Sequence, residues 1–134
     1  MKDKKDTNQP KAEPTKSELE ILKVLWEIGP STVRQVNDKI NEQTRTVQYT
    51  STLKLMQIMQ EKGLLKRDDT SMKHIYSPAE PELKTKNALL EKFVDNLYNG
   101  SASSLVMQLL GNKKTNKKEL LAIKELLKKM DTNK

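Results

Sequence analysis

The sequence predicts a mainly α-helical chain: an N-terminal winged helix-turn-helix, three helices plus a small β-wing, followed by a three-helix arm. Three observations predict it. Residues 15–62 hold three successive stretches of helical apolar period, each bounded by a cap, a turn or a glycine. Residues 64–76 hold two short segments around the polar turn Asp68-Asp69-Thr70-Ser71-Met72, the pattern of a hairpin. From about Glu82 the helical period returns in three further stretches.

Residues 1–14, MKDKKDTNQPKAEP, hold two prolines and no large apolar residue beyond Met1. They bury too little surface to offset chain entropy and are expected to be a disordered tail. The first helix opens at Thr15, with Glu18 at capping-box spacing. Leu19, Leu22, Leu25 and Trp26 form a stripe that Ile21, Val24 and Ile28 widen past half the circumference, so this helix must be contacted from two sides. Trp26 lies on that stripe and reads as core. Gly29-Pro30 ends the helix.

The second helix begins at Ser31 or Thr32, with Gln35 three residues after Thr32 and a narrow stripe of Val33, Val36 and Ile40. Residues 41–46, NEQTRT, read as the turn. The third helix runs from about Val47 to Lys62 and stops at Gly63. Its apolar side holds Leu53, Leu55, Met56, Ile58 and Met59, with Tyr49 and Thr52. At about 100° per residue the opposite face holds Thr50, Lys54, Gln57 and Glu61, flanked by Thr46 and Ser51. Leu64-Leu65-Lys66-Arg67 and Lys73-His74-Ile75-Tyr76 form the wing, and Ser77-Pro78 close a domain expected at 15–79.

Residues 80–134 form the arm. Leu83, Leu89, Leu90, Phe93, Val94 and Leu97 make its first helix; Asn99-Gly100-Ser101 break it, with Ser101 as the next cap. Leu105, Val106, Leu109 and Leu110 follow, then the loop GNKKTNK (111–117), then Leu120, Leu121, Ile123, Leu126, Leu127 and Met130. Three short helices with broad apolar faces and no core of their own are suited to pairing with a second copy. Phe93, Leu97, Leu105, Val106, Leu109, Leu126 and Leu127 are the expected shared core of a homodimer.

Composition narrows the function. The chain has 134 residues, only 34% hydrophobic and 4% aromatic, so its core is thin and a shared one is expected. The absence of cysteine excludes disulfides, thiolate metal sites and thiol nucleophiles. No apolar run approaches the roughly 18 residues that span a bilayer and no signal peptide opens the chain, so no membrane insertion and a cytoplasmic location are expected. A single histidine, His74, no HExxH spacing and no glycine-rich phosphate loop leave no catalytic residue, metal site or cofactor to expect. The net charge is +7. Residues 15–82 are neutral, with ten basic and ten acidic groups, but 43–77 carry six basic against three acidic. The excess sits on the half where phosphates would lie. The lysines of the arm serve solubility or DNA equally well.

A helix with one polar face of this kind fits the major groove of DNA. Thr46, Gln48, Thr50, Ser51 and Lys54 are the candidates for groove contact; Lys54 can reach a guanine or a phosphate, and Gln48, which suits adenine, lies beside the buried arc. Thr32, Arg34 and Arg45 suit the phosphate backbone, and Lys66, Arg67 and Lys73 on the wing suit the backbone or the minor groove. Tyr49 reads as core or backbone-contacting. The competing readings are a winged-helix protein-interaction module and a non-specific DNA-binding protein, both favoured by the neutrality of residues 15–82.

PTKSELEILKVLWEIGPSTVRQV (14–36), YTSTLKLMQIMQEKGLLKR (49–67) and HIYSPA (74–79), and more loosely NGSASSLVMQLL (99–110), resemble the BlaI/MecI penicillinase-repressor family, which includes copper-responsive members of the CopY type. The resemblance covers residues 14 to about 130. It implies a winged helix followed by a helical dimerisation arm, and a dimer that represses transcription by occupying a two-fold symmetric double-stranded DNA operator. Copper-thiolate sensing is excluded by the lack of cysteine. In staphylococcal-type members a membrane metalloprotease sensor system cleaves an Asn-Phe bond in the arm; the matching positions here are Gln108 and Leu109. Many relatives carry an Arg where this chain has Leu53 followed by Lys54, which implies a different operator.

Overall fold

The computed structural model describes residues 13–111 and 116–132. The expected tail before residue 13 and the loop at 112–115 lie outside the described residues, as does the side chain of Leu127. In chain order the elements are α1 (Lys16–Ile28), α2 (Val33–Gln43), α3 (Tyr49–Glu61), β1 (Leu65–Asp68), β2 (Ile75–Pro78), α4 (Glu82–Tyr98), α5 (Ala102–Gly111) and α6 (Lys117–Thr132). The fold is mainly helical with one small sheet, a winged helix and a helical arm. The chain divides into two compact units, Met1–Lys86 and Asn87–Lys134.

In the first unit both leading helices start as the sequence dictates. The Thr15 hydroxyl accepts the Glu18 N–H at 3.2 Å while Glu18 Oε1 accepts the Thr15 N–H at 2.9 Å. Thr32 and Gln35 repeat the exchange at 3.2 and 2.9 Å for α2. Each reciprocal pair satisfies two backbone donors that the helix leaves free. Gly29 stops α1 at φ 84°, a conformation a side chain would strain.

The core is one cluster: Ile21, Leu22, Val24 and Leu25 of α1, Val33, Val36 and Ile40 of α2, Met56 and Met59 of α3, Leu65 of β1 and Tyr76 of β2. The broad stripe of α1 is covered from two sides, by α2 and α3 and by β2. Trp26 packs half-buried against this cluster, with Lys86 Nζ 5.4 Å from its ring centroid. The strands pair antiparallel, from Leu65 opposite Pro78 to Asp68 opposite Ile75. Tyr76 also exchanges two backbone hydrogen bonds with Ser31, at 3.0 and 2.8 Å, which ties the wing to the start of α2.

Element ends differ from expectation in physically simple ways. The second helix continues to Gln43, helped by the Lys39–Glu42 ion pair on its surface, and Ile40 O accepts the N–H groups of both Thr44 and Arg45 to close it. The turn is therefore residues 44–48, and α3 begins at Tyr49 rather than Val47. Ser77 and Pro78 belong to β2; a two-stranded sheet tolerates a proline because its outer side needs no donor.

Glu18 is buried, and Lys62 at the end of α3 donates to both its oxygens at 2.8 and 3.0 Å. Burial alone pushes the Glu18 carboxyl up, but the Lys62 ammonium and the Thr15 N–H and hydroxyl outweigh it and hold the group below its ordinary 4.5. A depressed folded value means that this stabilisation is present above about pH 4.5 and is lost as pH falls through the lower folded value. Glu18→Gln should therefore melt below the wild type at neutral pH, with the gap closing on acidification in melts followed by circular dichroism.

In the second unit, α4 ends on Asn99 at φ 51° and Gly100 at φ 81°, with the Gly100 N–H bonded to Val94 O at 3.1 Å, a left-handed helix stop. Ser101 caps α5 through the Ser104 N–H at 3.1 Å, and Asn116 caps α6 through the Glu119 N–H at 2.8 Å. Val94 is the buried hydrophobic of this unit among the described residues. Phe93, Leu97, Met107, Leu109, Leu121 and Leu126 are exposed, while Leu105 and Val106 are half-buried.

Candidate nucleic-acid interface

Burial sorts the residues of α3 by face. Thr52, Met56 and Met59 are buried, whereas Thr50, Ser51, Lys54, Gln57 and Glu61 are exposed. Thr46 and Gln48, in the turn before it, are exposed as well. The outward side of the first half of α3 is thus short hydroxyls and one flexible cation, small enough to let the helix approach base edges. Ile58 also reaches the surface, so the apolar stripe is less complete than its sequence suggests.

The charged candidates divide into two groups. Of the six basic side chains between residues 43 and 77, three are engaged within the fold. Arg45 Nη2 lies 2.6 Å from Glu20 Oε1, Lys62 pairs with Glu18 at 2.8 Å, and Arg67 Nε lies 2.8 Å from Asp69 Oδ1. Lys54, Lys66 and Lys73 are exposed and carry no ion pair among the described residues. Arg34 lies 4.3 Å from the centroid of the Tyr49 ring, so the first turn of α2 is braced against the first turn of α3. That contact explains why Tyr49 is half-buried. The Thr32 hydroxyl serves as the cap of α2.

The wing carries its own cluster. His74 Nδ1 lies 2.6 Å from Asp69 Oδ1, the same oxygen that Arg67 approaches. Partial burial pushes the Asp69 carboxyl up, but Arg67 and His74 prevail and hold it below the usual carboxylate range. The Tyr76 hydroxyl, followed by Asp69, keeps the Arg67 guanidinium more firmly protonated than usual. Arg67 thus shapes the hairpin, while Lys66 and Lys73 project from it.

A polar network missed by sequence reasoning fixes the turn. Asn37, buried in α2, donates to Thr52 Oγ1 at 2.7 Å and to Val47 O at 3.0 Å. One turn along, Asn41 Oδ1 accepts the Val47 N–H at 2.6 Å. The signal was present: Asn37 stands at helical spacing between Val33 and Ile40, on the buried side of α2. Beside this network an open cleft of about 340 Å³ runs between α1 and the turn, with Glu20, Arg45, Gln48 and Ser51 among its lining.

The sequence model of the penicillinase repressor family matches residues 14–129. The chain belongs to the penicillinase repressor family. These are transcriptional regulators that act on DNA, not enzymes, and the matched span includes α3, the wing and the arm as far as residue 129 within α6. No curated relative matches the chain. Among the described residues no helix is long and apolar enough to cross a membrane, and no cluster of His, Asp or Glu is arranged to hold a metal ion.

Proposed function

We propose that this member of the penicillinase repressor family is a dimeric, sequence-specific repressor. In this reading residues 15–79 bind a two-fold symmetric operator and residues 80–134 pair with a second copy. The observation that carries it is the outward face of α3, where Thr50, Ser51 and Lys54 stand exposed opposite buried Thr52, Met56 and Met59. Thr46, Gln48, Thr50, Ser51 and Lys54 read the groove; Thr32, Arg34, Tyr49, Lys66 and Lys73 position the backbone. Arg45 and Arg67 would share their guanidinium groups between a carboxylate partner and phosphate.

Lys54→Ala is expected to weaken specific binding by about 1–3 kcal/mol. Titration against a duplex enriched from a random-sequence pool measures this, and unchanged affinity removes Lys54 from the interface. The three cations assigned to the backbone, Arg34, Lys66 and Lys73, give six per dimer, so the log-log salt slope should be roughly −5. Equal affinity for the enriched duplex and unrelated DNA would favour the non-specific reading instead.

Release is assigned to a signal acting on the arm. Gln108 and Leu109, which match the cleaved bond of staphylococcal-type relatives, lie inside α5, and Gln108 Oε1 accepts the Tyr98 hydroxyl at 3.0 Å. Proteolysis concentrates at exposed loops and mobile termini, so cutting there requires α5 to unwind first. Intact-mass measurement after induction tests this route: fragments ending at Gln108 support a metalloprotease sensor, and an uncut chain excludes cleavage.

A further inference from the structure

The polar network between α2 and the turn is given no role in the reading above, because its side chains are engaged with the protein's own backbone and with Thr52. Resting on the proposed sequence-specific binding, we infer that Asn37 and Asn41 are positioning residues for base reading: together they clamp the backbone of Val47 on both sides and thereby set the pose of α3. The geometry is that of a clamp with two jaws. Asn37 Nδ2 holds the Val47 carbonyl at 3.0 Å and Asn41 Oδ1 holds its N–H at 2.6 Å. The two asparagines are one helical turn apart on α2, and Asn41 Nδ2 lies 3.4 Å from Asn37 Oδ1, which links the jaws. Asn37 also donates to Thr52 Oγ1 at 2.7 Å, inside the first turns of α3.

The consequence follows from position. Val47 lies in the only stretch joining α2 to α3, between the exposed Thr46 and Gln48. The Arg45 N–H still closes α2 on Ile40 O and Gln48 O already accepts the first N–H groups of α3, but Val47 between them is held by side chains, which do there what a ladder does elsewhere. Holding the N–H and the C=O of Val47 fixes the two peptide groups that flank it and leaves the turn little freedom, and the Thr52 contact fixes the rotation of α3 about its axis. That rotation decides which side chains meet base edges, and a functional constellation held only loosely by its support loses its selectivity. A buried asparagine is costly unless its amide is paired, and here both bonds donated by the Asn37 amide nitrogen lead to α3 and the turn before it.

The test compares discrimination, not affinity alone. The full chain is used to enrich duplexes from a random-sequence pool. The ratio of dissociation constants for a scrambled and an enriched duplex is then measured for the wild type and for variants. Asn41 is exposed, so Asn41→Ala should keep the fold. It is expected to lower the ratio by about fivefold or more, the equivalent of one hydrogen bond, with scrambled-duplex affinity and salt slope unchanged within about twofold. Asn41→Asp retains an acceptor for the Val47 N–H and should restore the ratio, because its added charge weakens both duplexes alike. Asn37→Ala should reduce the ratio further where it folds; if it unfolds, the Asn41 pair decides. A ratio for Asn41→Ala within about twofold of wild type, equal losses on both duplexes, or no recovery in Asn41→Asp would each overturn the inference. A wild type that enriches no sequence would instead remove the sequence-specific reading itself, before any variant is made.

Discussion

Leu109→Asp is expected to yield monomers and to lower apparent affinity for an enriched duplex by about 10²–10⁴-fold, because two linked half-sites convert the second contact into an intramolecular one. The reason lies in the second unit. Its helices leave Phe93, Leu97, Met107, Leu109, Leu121 and Leu126 exposed while burying Val94 alone among the described residues. These six large apolar side chains left exposed on three helices call for a covering partner, and a self-complementary pairing would supply one. A carboxylate in that interface would be desolvated without a partner, a cost far above what one leucine contributes. Leu105→Asp, from a half-buried position on the same helix, should act in the same direction. Sedimentation equilibrium at micromolar concentration reads the association state directly. A Leu109→Asp chain that still sediments as a dimer, or a wild type that sediments as a compact monomer, would remove the arm from the proposed interface.

Tyr76→Ala carries the second large effect, a loss of about 3–5 kcal/mol from a fold of ordinary stability, about 5–15 kcal/mol. Tyr76 is 1% exposed and is the largest fully buried side chain. It belongs to the core cluster shared with α1, its backbone is joined to Ser31, and it stands opposite Arg67 in the strand pairing. Truncation opens a cavity where the two layers meet and loosens the wing together with the start of α2. Tyr76→Phe separates the contributions, since it keeps the ring and should cost much less than Tyr76→Ala. Urea unfolding of the three proteins gives both differences. A Tyr76→Ala loss no greater than that of Tyr76→Phe would show that the ring is not a keystone of this core.

Much of this architecture is legible in the sequence because local rules dominate it. Thr15 with Glu18 and Thr32 with Gln35 are capping pairs whose partners lie three residues apart, so spacing alone reveals them. The stripe of α1 and the stop at Gly29 are likewise local. What the sequence hides are pairings between elements. Glu18 reads as a cap, yet its second partner is Lys62, far along the chain. Arg45 and Arg67 read as free cations but are held by Glu20 and Asp69, so residue type alone overstates the charge available to phosphate. Asn37 shows in the sequence as a polar residue on a buried stripe, but its role depends on Thr52 and Val47 being placed beside it. The extra turn of α2 beyond the expected boundary has the same origin: its end is set by which carbonyls find donors, which periodicity does not report.

The central claim is that two copies of the chain present two α3 helices to one DNA duplex. Hydroxyl-radical footprinting of a duplex enriched by the full-length protein tests it most directly. Two equivalent protected tracts are expected, related by a two-fold axis and separated by one helical turn of about 10–10.5 bp or a multiple of it. A single asymmetric tract, or protection spread evenly along the duplex, would contradict the account.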